Sequence, residues 1–266
     1  MDGVKNMVFQ KLKMNNELTE KEQQARKRVC LALDNIDCID SALILAEELF
    51  DYVGGVKVGK ELNQIAVNKG RNIIRELYEK DIKIFLDLKL HDTPNTVFKS
   101  AYRCSVPGVN IFNVHIAGGE EMCKKAIEGS YEGVNIHGIK RPKVIGVTVL
   151  TSLDDNDLAE QGYGLSYDDL VMRRTEQAIK WGLDGIVCPA NKAGELEKKF
   201  GSDIIYVTPG IKWKEKKGKG QKQLYTPGMA VSDCSNSILV IGSAITKADD
   251  RKEIAYEILQ DMARFF

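Results

Sequence analysis

The sequence has no excess of charge of either sign, because 38 Lys and Arg residues balance 38 Asp and Glu residues. A balanced chain gives no electrostatic reason to expect nucleic acid or an anionic membrane as its main partner. It also has no apolar run near the roughly 18 residues that a membrane-spanning helix needs. The first 28 residues are polar and lack the apolar segment of a secretory signal. We therefore expect a cytoplasmic protein that binds neither nucleic acid nor membrane.

The sequence also lacks paired cysteines and glycine-rich phosphate-binding motifs. Its six cysteines are scattered and form no CxxC pair, which favours reduced thiols over a disulfide or zinc framework. Neither GxGxxG nor GxxxxGK[ST] follows the first predicted strand. This absence argues against an open doubly wound sheet that binds a dinucleotide or a nucleoside triphosphate.

The sequence does contain a regular alternation of short β-branched runs with longer amphipathic segments. Eight strand-like runs occupy 29–34, 54–60, 82–90, 109–116, 143–151, 185–190, 204–210 and 238–245. Apolar strands that alternate with helices indicate a parallel sheet covered by helices. Eight such units in about 240 residues predict an α/β fold, the (β/α)8 TIM barrel. We expect one catalytic domain over residues 29–266, preceded by a polar extension, 1–28, with a helix near residues 20–28.

Charged residues gather where the predicted strands end, at the face where such barrels hold their active sites. Asp87 and Lys89 lie two residues apart, so they point to the same side of their strand. Lys57 lies on the preceding strand, and Asp92 follows in the loop. Alternating opposite charges lower one another's cost of burial, and a lysine held between carboxylates stays protonated and can act as a general acid.

Two other interpretations of these charges remain open from the residues alone. The first is a buried ion-pair network that only closes the barrel. The second is a Mg²⁺ or Zn²⁺ site, built from Asp87 and Asp92 with His91 or His115. The lysines make a metal less attractive because they already supply positive charge, and we predict no metal.

The stretch DLKLHDTPNTV, residues 87–97, closely resembles the signature of the orotidine 5′-phosphate decarboxylase family. The resemblance covers nearly the whole chain after residue 28. Further matching segments are LALD (31–34), VKVGKEL (56–62), VTVLTS (147–152), VTPGI (207–211) and LVIGSAIT (239–246). It implies a homodimeric enzyme that converts orotidine 5′-phosphate to UMP without a cofactor, in pyrimidine biosynthesis.

The resemblance also implies a role for each matching residue. Lys57, Asp87, Lys89 and Asp92 would form the catalytic tetrad, with Lys89 protonating C6 of the pyrimidine. Asp92 and Thr96 would cross the dimer interface into the neighbouring active site. The remaining substrate contacts would be made by Asp34 and Lys57 at the ribose, Ser152 at the base, and Pro209, Gly210, Gln221, Gly242 and Ser243 at the phosphate.

The phosphate end departs from the family pattern. The family usually carries an arginine directly after the glycine of strand eight, where this chain has Ser243. A hydroxyl does not replace a bidentate guanidinium. The segment 212–222 holds six lysines, and we expect it either to be a solvated surface loop or to close over the phosphate with one lysine as a partial substitute.

Two alternative functions remain open. One is a magnesium-dependent sugar-phosphate decarboxylase or aldolase of the same superfamily. The other is a catalytically weak nucleotide-binding homologue. The intact set of lysines and aspartates argues against the second, since idle buried charges are costly.

Overall fold

The protein folds as a closed barrel of eight parallel strands, ordered β1 to β8 around the barrel, with β1 paired to β8. The computed structural model describes residues 17–213 and 225–266. The strands are Val29–Ala32 (β1), Gly55–Gly59 (β2), Ile84–Leu90 (β3), Val109–His115 (β4), Lys143–Val147 (β5), Gly185–Val187 (β6), Ile205–Thr208 (β7) and Ser237–Ile241 (β8). The predicted (β/α)8 fold is thereby confirmed.

The helices surround the barrel and follow the strands in chain order. Their bounds are Glu20–Lys27 (α1), Ile39–Glu48 (α2), Lys60–Asn68 (α3), Ile73–Tyr78 (α4), Pro94–Cys104 (α5), Gly119–His137 (α6), Asp155–Glu160 (α7), Tyr167–Lys180 (α8), Ala190–Phe200 (α9), Pro227–Asp233 (α10), Ser243–Thr246 (α11) and Arg251–Ala263 (α12). Short 3-10 turns lie at Phe50–Tyr52 and Ile116–Gly118.

Alternation along the strands divides the core into two clusters. Outward-facing side chains pack against the helices, and inward-facing ones fill the barrel. The buried interior cluster consists of small and apolar residues: Cys30, Ala32, Phe85, Ile145, Val207 and Val240. The next inward-facing residues toward the carboxyl ends of β3 and β4 are polar. They are Asp87 and Asn113, and both are buried. The sequence period of two therefore places an apolar layer beneath a polar one, which forms the floor of the site.

The segment ELNQIAVNKGRNIIRELYEK forms two helices, α3 and α4, because Gly70 takes a left-handed φ of 64° and the Asn72 side chain caps α4. Strand boundaries differ from the sequence expectation. The eighth strand ends at Ile241, and Ser243 begins α11 instead of continuing the strand.

The predicted helix near residues 20–28 is confirmed as α1. Thr19 and Glu22 form a capping box at its start. The helix packs against α12, with Ala25 fully buried. Residues 20–27 thus contribute to the core, while the domain boundary after residue 28 stays a prediction.

The six cysteines, Cys30, Cys38, Cys104, Cys123, Cys188 and Cys234, are all free thiols. Among the helices of residues 17–213 and 225–266, none combines the length and apolar character needed to cross a membrane.

Candidate active site

A cavity of about 1330 Å³ opens at the carboxyl ends of the strands. It brings together eight residues that the sequence predicted for the site: Asp34, Lys57, Asp87, Lys89, Pro209, Gly210, Gly242 and Ser243. These residues come from the ends of the first, second, third, seventh and eighth strands and from the loops that follow them. Parallel strands closed into a barrel bring such distant segments to one face.

Four charged side chains form a row of alternating sign at the cavity floor. Lys57 Nζ lies 2.7 Å from Asp34 Oδ1 and 3.1 Å from Asp87 Oδ2. Lys89 Nζ lies 2.6 Å from Asp87 Oδ1. Gly59 lies beside the row, and a Cβ there would be 3.1 Å from Asp34 Oδ1. The glycine thus leaves room for the ion pair between Asp34 and Lys57.

The two inner members of this row, Lys57 and Asp87, keep their charges despite burial. Burial alone would lower the pKa of Lys57, but the charges of Asp87 and Asp34 outweigh it and raise that pKa. Burial would likewise raise the pKa of Asp87, but Lys57 and Lys89 outweigh it and hold that pKa below its ordinary value. Both groups are therefore ionised at neutral pH, as the alternating pattern predicts.

The backbone that presents Lys89 is unusual. Lys89 has a φ of 49°, in the left-handed region that non-glycine residues rarely occupy. Its backbone N–H donates to Asn113 Oδ1 at 2.7 Å, and Asn113 Nδ2 donates to Asp87 Oδ1 at 2.7 Å. Asn113 lines the cavity and is only 1% exposed. No sequence motif pointed to Asn113, although it is an inward-facing polar residue on a strand.

Asp92 and Thr96 lie outside this cavity. Both are exposed, in the loop after β3 and in the first turn of α5. Asp92 Oδ1 accepts the Thr93 N–H at 2.6 Å, and the hydroxyls of Thr96 and Thr93 are 3.0 Å apart. The single chain therefore does not bring Asp92 into the charged row, and the role that the family resemblance implies for it in a second subunit stays a prediction.

Ser152 is exposed in the loop after β5, whereas its neighbour Thr151 lines the cavity. A buried arginine that no sequence motif indicated supports this region. Arg174 on α8 donates to the Thr148 carbonyl at 2.5 Å and to the Tyr163 hydroxyl at 2.8 Å. It thereby ties the start of the loop that carries Ser152 to the turn that follows α7.

The predicted phosphate end of the cavity is formed by turns that contain glycine. Gly210 has a φ of 77°, which suits glycine, and it follows Pro209 after β7. Gly242 and Ser243 line the cavity at the end of the adjacent strand, where β8 passes into α11. Lys212 also lines the cavity. Gln221 and the remaining lysines of the segment 212–222 lie outside the described residues.

Within residues 17–213 and 225–266, no three His, Cys, Asp or Glu side chains are arranged to hold a metal ion. The His91 and His115 rings lie 5.2 Å apart. Burial, followed by the charges of His91, Lys89 and Lys60, lowers the pKa of His115 to about 4, so its ring is neutral at neutral pH.

Residues 27–258 match the orotidine 5′-phosphate decarboxylase / HUMPS family. The chain belongs to this family. The resemblance that the sequence motifs carried is therefore confirmed over most of the chain.

Individual members of the orotidine 5′-phosphate decarboxylase / HUMPS family align over nearly their full length. The orotidine 5′-phosphate decarboxylase of Chromobacterium violaceum is 36% identical over 252 residues, which cover 95% of this chain and 98% of the relative. That of Bacillus pumilus is 40% identical over 207 residues, which cover 77% of this chain and 86% of the relative.

Solved structures give the same result for the fold. The crystal structure of orotidine 5′-phosphate decarboxylase from Lactobacillus acidophilus superposes with a TM-score of 0.75 at 33% identity, covering 88% of this chain and 98% of that one. An uncharacterized conserved protein from Geobacillus kaustophilus gives a TM-score of 0.73 at 31% identity, covering 88% of this chain and 99% of that one.

Proposed function

We propose that this protein decarboxylates orotidine 5′-phosphate to UMP, without a cofactor, as a cytoplasmic homodimer. The observation that carries the proposal is the Lys89 ammonium, held 2.6 Å from Asp87 at the floor of a large cavity. The family relationship supplies the substrate, since the curated relatives reported above bear the name of this decarboxylase.

The charged row suits the electronic demand of this reaction. Cleavage of the bond between C6 and the carboxylate leaves an electron pair on C6, and no adjacent carbonyl can delocalise it as in a β-keto acid. A fixed ammonium stabilises such a charge electrostatically. In the proposed step CO₂ departs, the electron pair on C6 takes a proton from Lys89 Nζ, and the resulting neutral amine regains a proton from solvent.

Asp87 has two roles in this proposal. It pairs with the Lys89 ammonium at 2.6 Å and holds it aimed into the cavity, and it lies against the departing carboxylate, where repulsion would favour loss of CO₂. Asp34 and Lys57, 2.7 Å apart, are assigned to the ribose hydroxyls. Lys57 would thus contact both Asp87 in the charged row and the ribose.

The remaining assignments concern the base, the phosphate and the second subunit. Ser152 is assigned to the pyrimidine edge, and Pro209, Gly210, Gln221, Gly242 and Ser243 are assigned to the phosphate. Binding energy from the remote phosphate can be used to lower the barrier at C6. Asp92 and Thr96 are assigned to the active site of the partner subunit.

One assay tests the function directly. The protein is incubated with orotidine 5′-phosphate, with and without EDTA, and the loss of ultraviolet absorbance of the substrate is followed. We expect turnover that EDTA does not change. Turnover of a sugar phosphate that EDTA abolishes would favour the magnesium-dependent alternative, and binding of UMP without turnover would favour the nucleotide-binding alternative.

The role of Lys89 is tested in the same assay with Lys89→Ala. We expect kcat to fall by at least about a thousandfold, because the variant loses both the charge that stabilises the carbanion and its proton. Calorimetry should still detect UMP binding. Lys143→Ala, at the opposite end of the barrel and paired with Asp184 at 3.0 Å, is the matched control and should retain wild-type kcat. Substantial turnover by Lys89→Ala would refute its role as the acid.

A further inference from the structure

The pairing of β3 with β4 breaks at the charged row. Leu86 pairs with Phe112 and Leu90 with Val114, so three residues of β3 stand opposite the single residue Asn113 of β4. A bulge of this kind interrupts the backbone ladder and redirects side chains, and bulges are common next to active sites. At Lys89 the backbone N–H bonds to a side chain of β4 instead of to its backbone.

The Asn113 side chain replaces the missing partner for Lys89. Its Oδ1 accepts the Lys89 N–H at 2.7 Å, in the place where a ladder carbonyl would otherwise be. Left-handed backbone at a non-glycine residue is strained, and a buried N–H without an acceptor would add to that strain. The amide therefore stabilises the conformation from which Lys89 projects.

The other end of the same amide holds Asp87. Asn113 Nδ2 donates to Asp87 Oδ1 at 2.7 Å, on the oxygen that also accepts Lys89 Nζ at 2.6 Å. The second oxygen, Oδ2, faces Lys57 at 3.1 Å. The carboxylate plane is thus fixed by contacts to both oxygens. Because a backbone N–H can only donate and a carboxylate can only accept, the amide can satisfy both neighbours in one orientation alone.

We propose that Asn113 is a positioning residue, whose carboxamide sets the Asp87 carboxylate and the Lys89 backbone in the arrangement that aims the Lys89 ammonium into the cavity. Both the donor and the acceptor of the amide are required. The proposal rests on the proposed function for the step that Lys89 performs. It goes further by assigning the geometry of the charged row to an uncharged residue on the neighbouring strand.

Asn113→Asp tests the donor side of the amide with little change in shape. One oxygen can still accept the Lys89 N–H, but the other faces Asp87 Oδ1, and two ionised carboxylates this close repel each other. We expect kcat near neutral pH to fall about a hundredfold, as misplacement of catalytic groups by about 1 Å can do, with little change in KM. The ratio of variant to wild-type kcat should rise as the pH is lowered, because an added proton restores a donor between the carboxyl groups.

Asn113→Leu removes both hydrogen bonds and should lower kcat at every pH without recovery in acid. The matched control is Asn110→Leu, on the same strand at the amino end of the barrel. Asn110 Oδ1 accepts the Ile84 N–H at 3.3 Å, the same kind of contact from β4 to β3, but far from the charged row. This variant should retain wild-type kcat. Wild-type kcat in both Asn113 variants, corrected for the folded fraction, would overturn the proposal, as would a loss in Asn113→Asp that does not depend on pH.

A crystal structure of Asn113→Leu tests the positioning without any assay of activity. We expect the Lys89 φ to return to a negative value and Lys89 Nζ to leave hydrogen-bond distance of Asp87. An unchanged charged row in this variant would overturn the proposal even if the enzyme acts on another substrate. Failure of wild-type protein to turn over orotidine 5′-phosphate would instead refute the proposed function alone.

Discussion

Removing the charge of Asp87 should destabilise the fold and abolish turnover together. The Asp87 side chain is only 10% exposed and lies between Lys57 and Lys89. Removing one partner of a buried pair typically costs about 3–5 kcal/mol, because the other charge is left uncompensated. Here Lys57 keeps Asp34 at 2.7 Å, and the Lys89 side chain is 30% exposed. Both lysines can thus recover part of the loss.

We therefore expect Asp87→Asn to lower the free energy of unfolding by about 2–3 kcal/mol near neutral pH. For a chain of this size that corresponds to a Tm lower by about 5–10 °C. The measurement is thermal unfolding followed by circular dichroism. The pKa of Asp87 is lowered in the folded protein. The contribution of Asp87 to stability is thus complete above the ordinary carboxyl pKa of about 4. That contribution is lost as the pH falls through the lower pKa that Asp87 has in the folded protein. The difference between variant and wild type should accordingly shrink in acid.

Asp184→Asn provides the matched control. Asp184 is equally buried and binds two cations, Arg141 at 2.6 Å and Lys143 at 3.0 Å, but it lies at the amino end of the barrel. We expect a similar loss of stability with unchanged kcat. An Asp87→Asn protein that unfolds at or above the wild-type temperature would refute the reasoning. So would a deficit that stays constant as the pH is lowered.

Two further predictions concern the dimer and the phosphate. Mixed and refolded Lys89→Ala and Asp92→Ala subunits should regain about a quarter of wild-type turnover, because each hybrid dimer would hold one intact site; no recovery would show that Asp92 acts within its own chain. Ser243→Arg should lower KM about tenfold, since charge-assisted hydrogen bonds contribute about 1.5–3 kcal/mol, while Ser243→Gln should not. An unchanged KM in Ser243→Arg would show that the phosphate is already held by another cation.

The sequence by itself determined the barrel and most of the charged row. Strand periodicity is local, because side chains alternate whatever the partner strand is. The pattern therefore placed Asp87 and Lys89 on one side of β3 before any pairing was known. The eight alternating βα units likewise indicated a parallel barrel, and a barrel of that type places its functional residues at the carboxyl ends of the strands. Lys57 followed from that rule, whereas Asp34 and the glycines assigned to the phosphate followed from the family resemblance.

Only the tertiary structure decided how the row is held. The register break between β3 and β4 depends on two strands separated by a whole helix, so no local pattern reveals it. Asn113 becomes important only because that break leaves the Lys89 N–H and the Asp87 carboxylate facing the same amide. Arg174 similarly reaches the loop of Ser152 across sequence-distant elements. Periodicity predicts which face a residue occupies, whereas register decides which residue it meets, and register is set by the packing of the complete barrel.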